Sequence, residues 1–244
     1  MQKIKIILGI TAILLFGASC ASQNTAAILA DREPIALVSM ASNMYAFWHG
    51  EDPIGPEVIG FLAPRALRTD PDMVVAARLD ELINTAEAMF RTVLADSSFI
   101  NLAEREMVLS SQAYQNAREQ RRRPYTNMAM PAGYKFVDFR DGDFFSALAS
   151  ETGIQRSMFV EFDFTKSMSG MFGFGQSGSL RADLTMRVLI FDAQGRRLFR
   201  NSYTVWSDST ISVSSGAYSE SGMIELIESA LLDIYGEFLF DLTS

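Results

Sequence analysis

Two spacings of apolar side chains divide the chain. Up to about residue 153 they recur every three or four positions, and beyond it they alternate with polar ones. In the first part Val75, Leu79, Leu82, Ala86, Phe90 and Val93 make one stripe, which predicts a helix over 70–94. Asp70-Pro71-Asp72 marks its start, with Asp70 as N-cap, Pro71 at the first helical position and Asp72 in the positive first turn. Further helices are predicted over 104–121 and 143–151, the latter stopped by Gly153, with short extended pieces over 35–40, 97–102 and 134–139. In the second part Met158, Val160, Phe162 and Phe164 alternate with Glu161, Asp163 and Thr165. Leu180 to Ile190 alternates likewise with Arg181, Asp183, Thr185 and Arg187. Both read as half-buried strands. Asp192-Ala193-Gln194-Gly195 predicts a hairpin turn into a returning strand over 198–206. A serine-rich stretch, 207–221, precedes a terminal helix over 223–240, with Ile227, Ala230, Ile234, Tyr235 and Phe238 on one face. The sum is a single α/β (α+β) domain over 34–244, a mixed, largely antiparallel sheet with helices packed on it.

The N-terminus follows a different logic. Lys3 and Lys5 precede an apolar run over 6–16, broken only by Gly9 and Thr11. That run is about the size of a signal-peptide core and short of the roughly 20 residues a bilayer span needs. Gly17, Ala18 and Ser19 then lead to Cys20, the one cysteine in the chain. This segment resembles a bacterial lipoprotein precursor, with Gly17-Ala18-Ser19-Cys20 as its lipobox. The resemblance implies a signal peptide over 1–19, cleavage before Cys20, diacylglycerol on its thiol, an acyl chain on its new amine and a lipidated tether over 20–33. The partner so implied is membrane lipid, reached through acylated Cys20. With Ala21 and Ser22 following and no aspartate, the implied placement is the cell envelope, at the outer membrane and facing the periplasm. Gly17 stands where such boxes carry leucine. Ordinary signal-peptidase cleavage after Ser19 is the competing reading, because Gly17 and Ser19 also satisfy a small-x-small rule.

Composition narrows the chemistry. The formal charge of −8 becomes −10 once Lys3 and Lys5 are removed, which argues against a nucleic-acid partner. A single cysteine excludes an intramolecular disulfide framework, and a single histidine excludes a multi-histidine metal centre. Gly173-Phe174-Gly175-Gln176-Ser177-Gly178 has the letters of a dinucleotide fingerprint, but a strand pattern follows it where a phosphate-binding helix is required. His49 beside Glu51 and Asp52 offers one imidazole and two diverging carboxylates, not a fixed ligand set. No serine sits in a nucleophile-elbow motif. No catalytic residue, metal site or cofactor is therefore expected. Arg118, Arg121, Arg122 and Arg123 form the one basic cluster, read first as cations at a helix C-terminus and second as a contact for anionic head groups.

Three stretches carry a resemblance of the body. They are 94–114 around Ser98-Phe99-Ile100-Asn101-Leu102, then Leu148-Ala149-Ser150-Glu151-Thr152-Gly153 entering the next strand, and the Asp192–Gly195 hairpin closing into the terminal helix. In order they resemble the periplasmic domain of curli-assembly lipoproteins and the N-terminal domain of the Tol-system periplasmic protein. The resemblance implies a mixed sheet carrying helices. Pore formation is not implied, since no amphipathic transmembrane strand pairs are visible. Five of the seven prolines fall between 34 and 71, making 51–71 a long loop. Tyr45, Phe47, Trp48, Phe61 and Leu62 form the candidate interaction surface, for an envelope protein partner. The expected function is a non-enzymatic, lipid-anchored binding or assembly factor. The alternative is a membrane-active lipoprotein whose amphipathic segments perturb the bilayer.

Overall fold

A computed structural model of the chain describes residues 32–43, 47–48, 72–97, 99–120, 128–169, 178–214 and 218–243. The first strand enters the middle of the sheet. β1 (Ile35–Asn43) lies between the short β3 (Met128–Ala129) and β4 (Arg156–Ser169), and β5 (Gly178–Asp192) and β6 (Arg197–Trp206) follow in order. β2 (Phe47–Trp48) runs along β4 beyond β1, and β7 (Ile211–Val213) runs along β5 beyond β6. β1 and β2 pair with β4 in parallel, and every other pairing is antiparallel. The fold is thus a mixed, mostly antiparallel sheet with helices packed on it.

The alternation in the second half of the sequence produces this centre. β4 and β5 pair from Arg156↔Asp192 to Ser169↔Ser179 without a register shift, so apolar side chains of both strands share one face. The turn into β6 uses Gly195 at φ 72°, and the Asp192 carboxylate accepts from Gln194 N at 2.9 Å and Arg196 N at 2.8 Å. β1 ends where Asn43 takes over its pairing. Its Nδ2 donates to Phe164 O and its Oδ1 accepts from Phe164 N, both at 2.7 Å. One carboxamide thereby satisfies two strand groups in the gap between β1 and β2.

Two long helices, α1 (Asp72–Ser97) and α5 (Glu220–Thr243), pack on the apolar face. Phe90 meets Tyr235 at 5.2 Å between centroids and stacks on Phe238, while Tyr235 reaches Phe162 and Phe238 reaches Phe199 and Tyr203. Each such ring contributes about 1.5–3 kcal/mol by burial. Both hydroxyls of the cluster are also satisfied, since Tyr235 OH donates to Ala86 O at 2.9 Å and Tyr203 OH to Asp241 Oδ2 at 2.7 Å. α2 (Arg105–Leu109), α3 (Gln112–Asn116) and α4 (Gly142–Thr152) pack together, and α4 lies on the opposite face of the sheet. There Phe145 packs on Phe159 and Phe191, with Phe139 alongside.

Four expectations need correction, the first being the extended piece over 134–139, in which Val137 alone is bridged. The helix expected over 104–121 is two helices, because Ser110 and Ser111 turn their hydroxyls back onto Glu106 O and Val108 O. Ser111 then caps α3 by accepting from Tyr114 N, and Glu151 of α4 accepts from Gln112 N at 2.6 Å and Ala113 N at 2.8 Å. The strand expected over 97–102 reduces to one bridge, Leu102↔Ile35, flanked by bonds from Ile35 N to Asn101 O and from Ala103 N to Ile35 O. Arg118 is not at a helix C-terminus. It follows α3 in an extended segment bridged at Glu119↔Val137 and lies 3.9 Å from Asp138; Arg121, Arg122 and Arg123 are outside the described residues. The serine-rich stretch also holds β7, which its composition concealed. The helices over 143–151 and 223–240 and the hairpin strands stand as expected, within a few residues. Asp70 and Pro71 are outside the described residues.

Candidate functional site

The two faces of the sheet are unequally covered. On the face opposite α1 and α5, α4 protects only the end that holds Phe159 and Phe191. Among the described residues, no helix covers the other end. Its surface is a polar lattice built across three strands. Glu161 accepts from Arg187 Nη1 at 2.8 Å, and the Thr185 and Thr204 hydroxyls lie 3.0 Å apart. Arg181 donates from Nε to Ser167 Oγ at 2.8 Å and sits 3.2 Å from the buried Asp183, which also accepts from Ser167 Oγ. Arg181 also lies over the Trp206 ring, 5.2 Å from its centroid. Trp206 is half exposed there, the largest apolar group on a polar field. Exposed pairs of this kind contribute little to stability.

A second polar assembly lies between α1, α2 and the 130–136 segment. Glu87, 5 % exposed, pairs with Arg91, and its Oε1 accepts from Tyr134 OH at 3.1 Å. Arg91 Nη2 donates to Tyr134 OH at 2.8 Å and Nη1 to Ala103 O at 3.1 Å. Arg105 Nη1 stands 3.8 Å from Glu87 Oε2, and Arg105 donates to Ala132 O. Burial pushes the Tyr134 hydroxyl far above the usual tyrosine range, against the pull of Arg91, so it stays a neutral donor to Glu87. Burial opposes the charge on Arg91, but Glu87 and Tyr134 outweigh it and hold the guanidinium pKa above its ordinary value. A buried carboxylate with this many partners fixes geometry more than it adds stability. Next door, Tyr114 OH accepts from Lys135 N at 2.7 Å, and burial raises its pKa to about 12.

The residues expected to form the interaction surface are not brought together in what is described. Phe47 and Trp48 contribute backbone to β2, opposite Thr165 and Lys166. Tyr45, Phe61 and Leu62 lie outside the described residues, as do His49, Cys20 and the glycine-rich segment up to Gly178. Gly178 opens a strand, so no helix follows the dinucleotide-like letters. Among the described residues no group of three or more histidine, cysteine or acidic side chains could hold a metal ion. No helix among them is long and apolar enough to cross a membrane.

The polar lattice and the ion group were both missed from sequence. Alternation marked Arg181, Asp183 and Arg187 as the outward side of β5. Nothing in it showed that no described helix would cover this side. Glu87 sits within the apolar stripe of α1 between Ala86 and Phe90, and that misplaced carboxylate was the available signal. The chain matches no known family model and no curated protein.

Proposed function

We propose that the protein is a non-enzymatic, lipid-anchored envelope factor that binds or assembles a partner on the periplasmic side, at the outer membrane. The N-terminal 20 residues support the anchor, through the lipobox resemblance ending in Cys20. The observation that carries the binding role is the half of the second sheet face that no described helix covers, where a polar lattice presents the half-exposed Trp206. Interfaces commonly centre on such an aromatic anchor in a polar setting. A packed two-helix layer backs the sheet behind that surface. The acyl groups on Cys20 would confine it to the membrane surface, since two or three chains anchor a protein firmly.

Two sets of substitutions test the reading. Cys20→Ala is expected to release the protein from the membrane fraction into the soluble one. Trp206→Ser with Thr204→Lys is expected to reduce recovery of partner protein from envelope extracts. Tyr45, Phe47, Trp48, Phe61 and Leu62, all changed to serine, form the second arm. Recovery unaltered in both arms rejects the binding role, and Cys20→Ala protein still in the membrane fraction rejects the anchor.

A further inference from the structure

Where the N-terminal segment reaches the sheet, a cleft of about 590 Å³ opens between Arg32, the end of α1 and the 99–104 segment. That volume lies within the range of small-molecule sites. One wall is apolar, formed by Ala95, Phe99 and Leu102. Phe99 is 48 % exposed, so this wall faces solvent. The other wall is Arg91. A guanidinium has five N–H donors, and Arg91 gives one each to Glu87, Ala103 O and Tyr134 OH. Two remain, on a side chain that lines the cleft and is already held in place by three partners. An anion binding there orders nothing new and gains charge-assisted hydrogen bonds.

Arg32 completes the arrangement. It is the one non-glycine among the described residues with positive φ, at 47°, a left-handed conformation that disfavours a side chain. The cleft and the ion group behind it hold Arg32, Arg91 and Arg105 against Glu87 and Glu104. This local excess of positive charge stands in a protein of net charge −8. We propose that the cleft binds a small anionic amphiphile, its carboxylate or phosphate held by Arg32 and Arg91 and its short apolar body lying on Phe99, Leu102 and Ala95. The proposal depends neither on acylation of Cys20 nor on the uncovered sheet face.

The test uses the full chain in phosphatidylcholine nanodiscs, titrated calorimetrically with hexyl phosphate, inorganic phosphate and hexanol, against empty nanodiscs. Hexyl phosphate is expected to bind about tenfold more tightly than either fragment, which carry only the charge or only the chain. Arg32→Glu reverses one anion contact at an exposed site, and Ala95→Trp fills the cleft from the exposed side of α1 without touching Glu87 or Tyr134. Each is expected to weaken hexyl phosphate by about tenfold or more while the circular-dichroism melting curve stays in place. Nanodiscs doped with phosphatidic acid separate two sources of the same chemistry. Competition with hexyl phosphate identifies a lipid headgroup, and its absence identifies a soluble ligand. The proposal is overturned if hexanol or inorganic phosphate binds as well as hexyl phosphate. It is equally overturned if both variants bind like the parent chain, or if millimolar hexyl phosphate gives no binding heat.

Discussion

β4 passes through two environments within one strand. From Arg156 to Val160 every residue is buried, because α1 and α5 cover one face and α4 covers the other. From Glu161 onward burial alternates, with Phe162, Phe164 and Lys166 inside and Asp163 exposed. The antiparallel partner shows the same boundary in reverse order. Leu189, Ile190 and Phe191 are buried in succession, whereas Arg181, Thr185 and Arg187 alternate with buried neighbours. A strand thus records in its own sequence where the second layer stops: a continuous apolar run marks two covered faces and alternation marks one. The half that no described helix covers is then free to carry polar groups, which face solvent and not a second layer.

Four measurements can break or sharpen that contrast. Phe159→Ala removes a ring that meets Phe145 at 6.0 Å and Phe191 at 5.5 Å under α4. It is expected to cost about 3–5 kcal/mol in denaturant unfolding. Asn43→Ala leaves Phe164 N and O without the carboxamide that joins them to β1. The expected loss is about 1–3 kcal/mol, with faster amide exchange at Phe164. Glu151 tests the attachment of α3 to α4. Its hydrogen bonds from Ala113 N and Gln112 N hold the carboxyl below the ordinary glutamate range. Its contribution is therefore present above the unfolded-state pKa and lost as pH falls through the lower folded-state value. The amides of Gln112 and Ala113 should lose protection on acidification, and Glu151→Gln should flatten that dependence. At the small end, Asp163→Ala on the uncovered half should stay within about 0.5 kcal/mol of the parent. Equal costs for Phe159→Ala and Asp163→Ala would dissolve the distinction between the two halves.

What could be read in advance follows from the range of the interactions involved. Alternation over 158–165 and 180–190 identified β4 and β5 because each position answers to its immediate neighbours across the sheet. The α5 face was legible for the same reason, and Ile227, Ala230, Ile234, Tyr235 and Phe238 are all buried. The break at Ser110-Ser111 was not, because part of what stabilises α3 is Glu151, about 40 residues away in sequence. The same holds for the candidate sites. Arg91, Tyr134 and Ala103 meet across 12 to 43 residues, and Arg32 reaches their cleft from before the first strand. No local spacing encodes such a meeting.

The position of β1 has a mechanical consequence. The segment that leads in from the N-terminus becomes, within a few residues of Arg32, a strand held in parallel by β4, with Glu33 paired to Arg156 and Ile35 bonded on its other edge to Asn101 and Ala103. A pull along that segment loads the β1–β4 bonds together, in shear, and does not peel them apart one at a time. Tension applied at the start of β1 would be shared by the sheet as a whole, and the domain would stay folded under it.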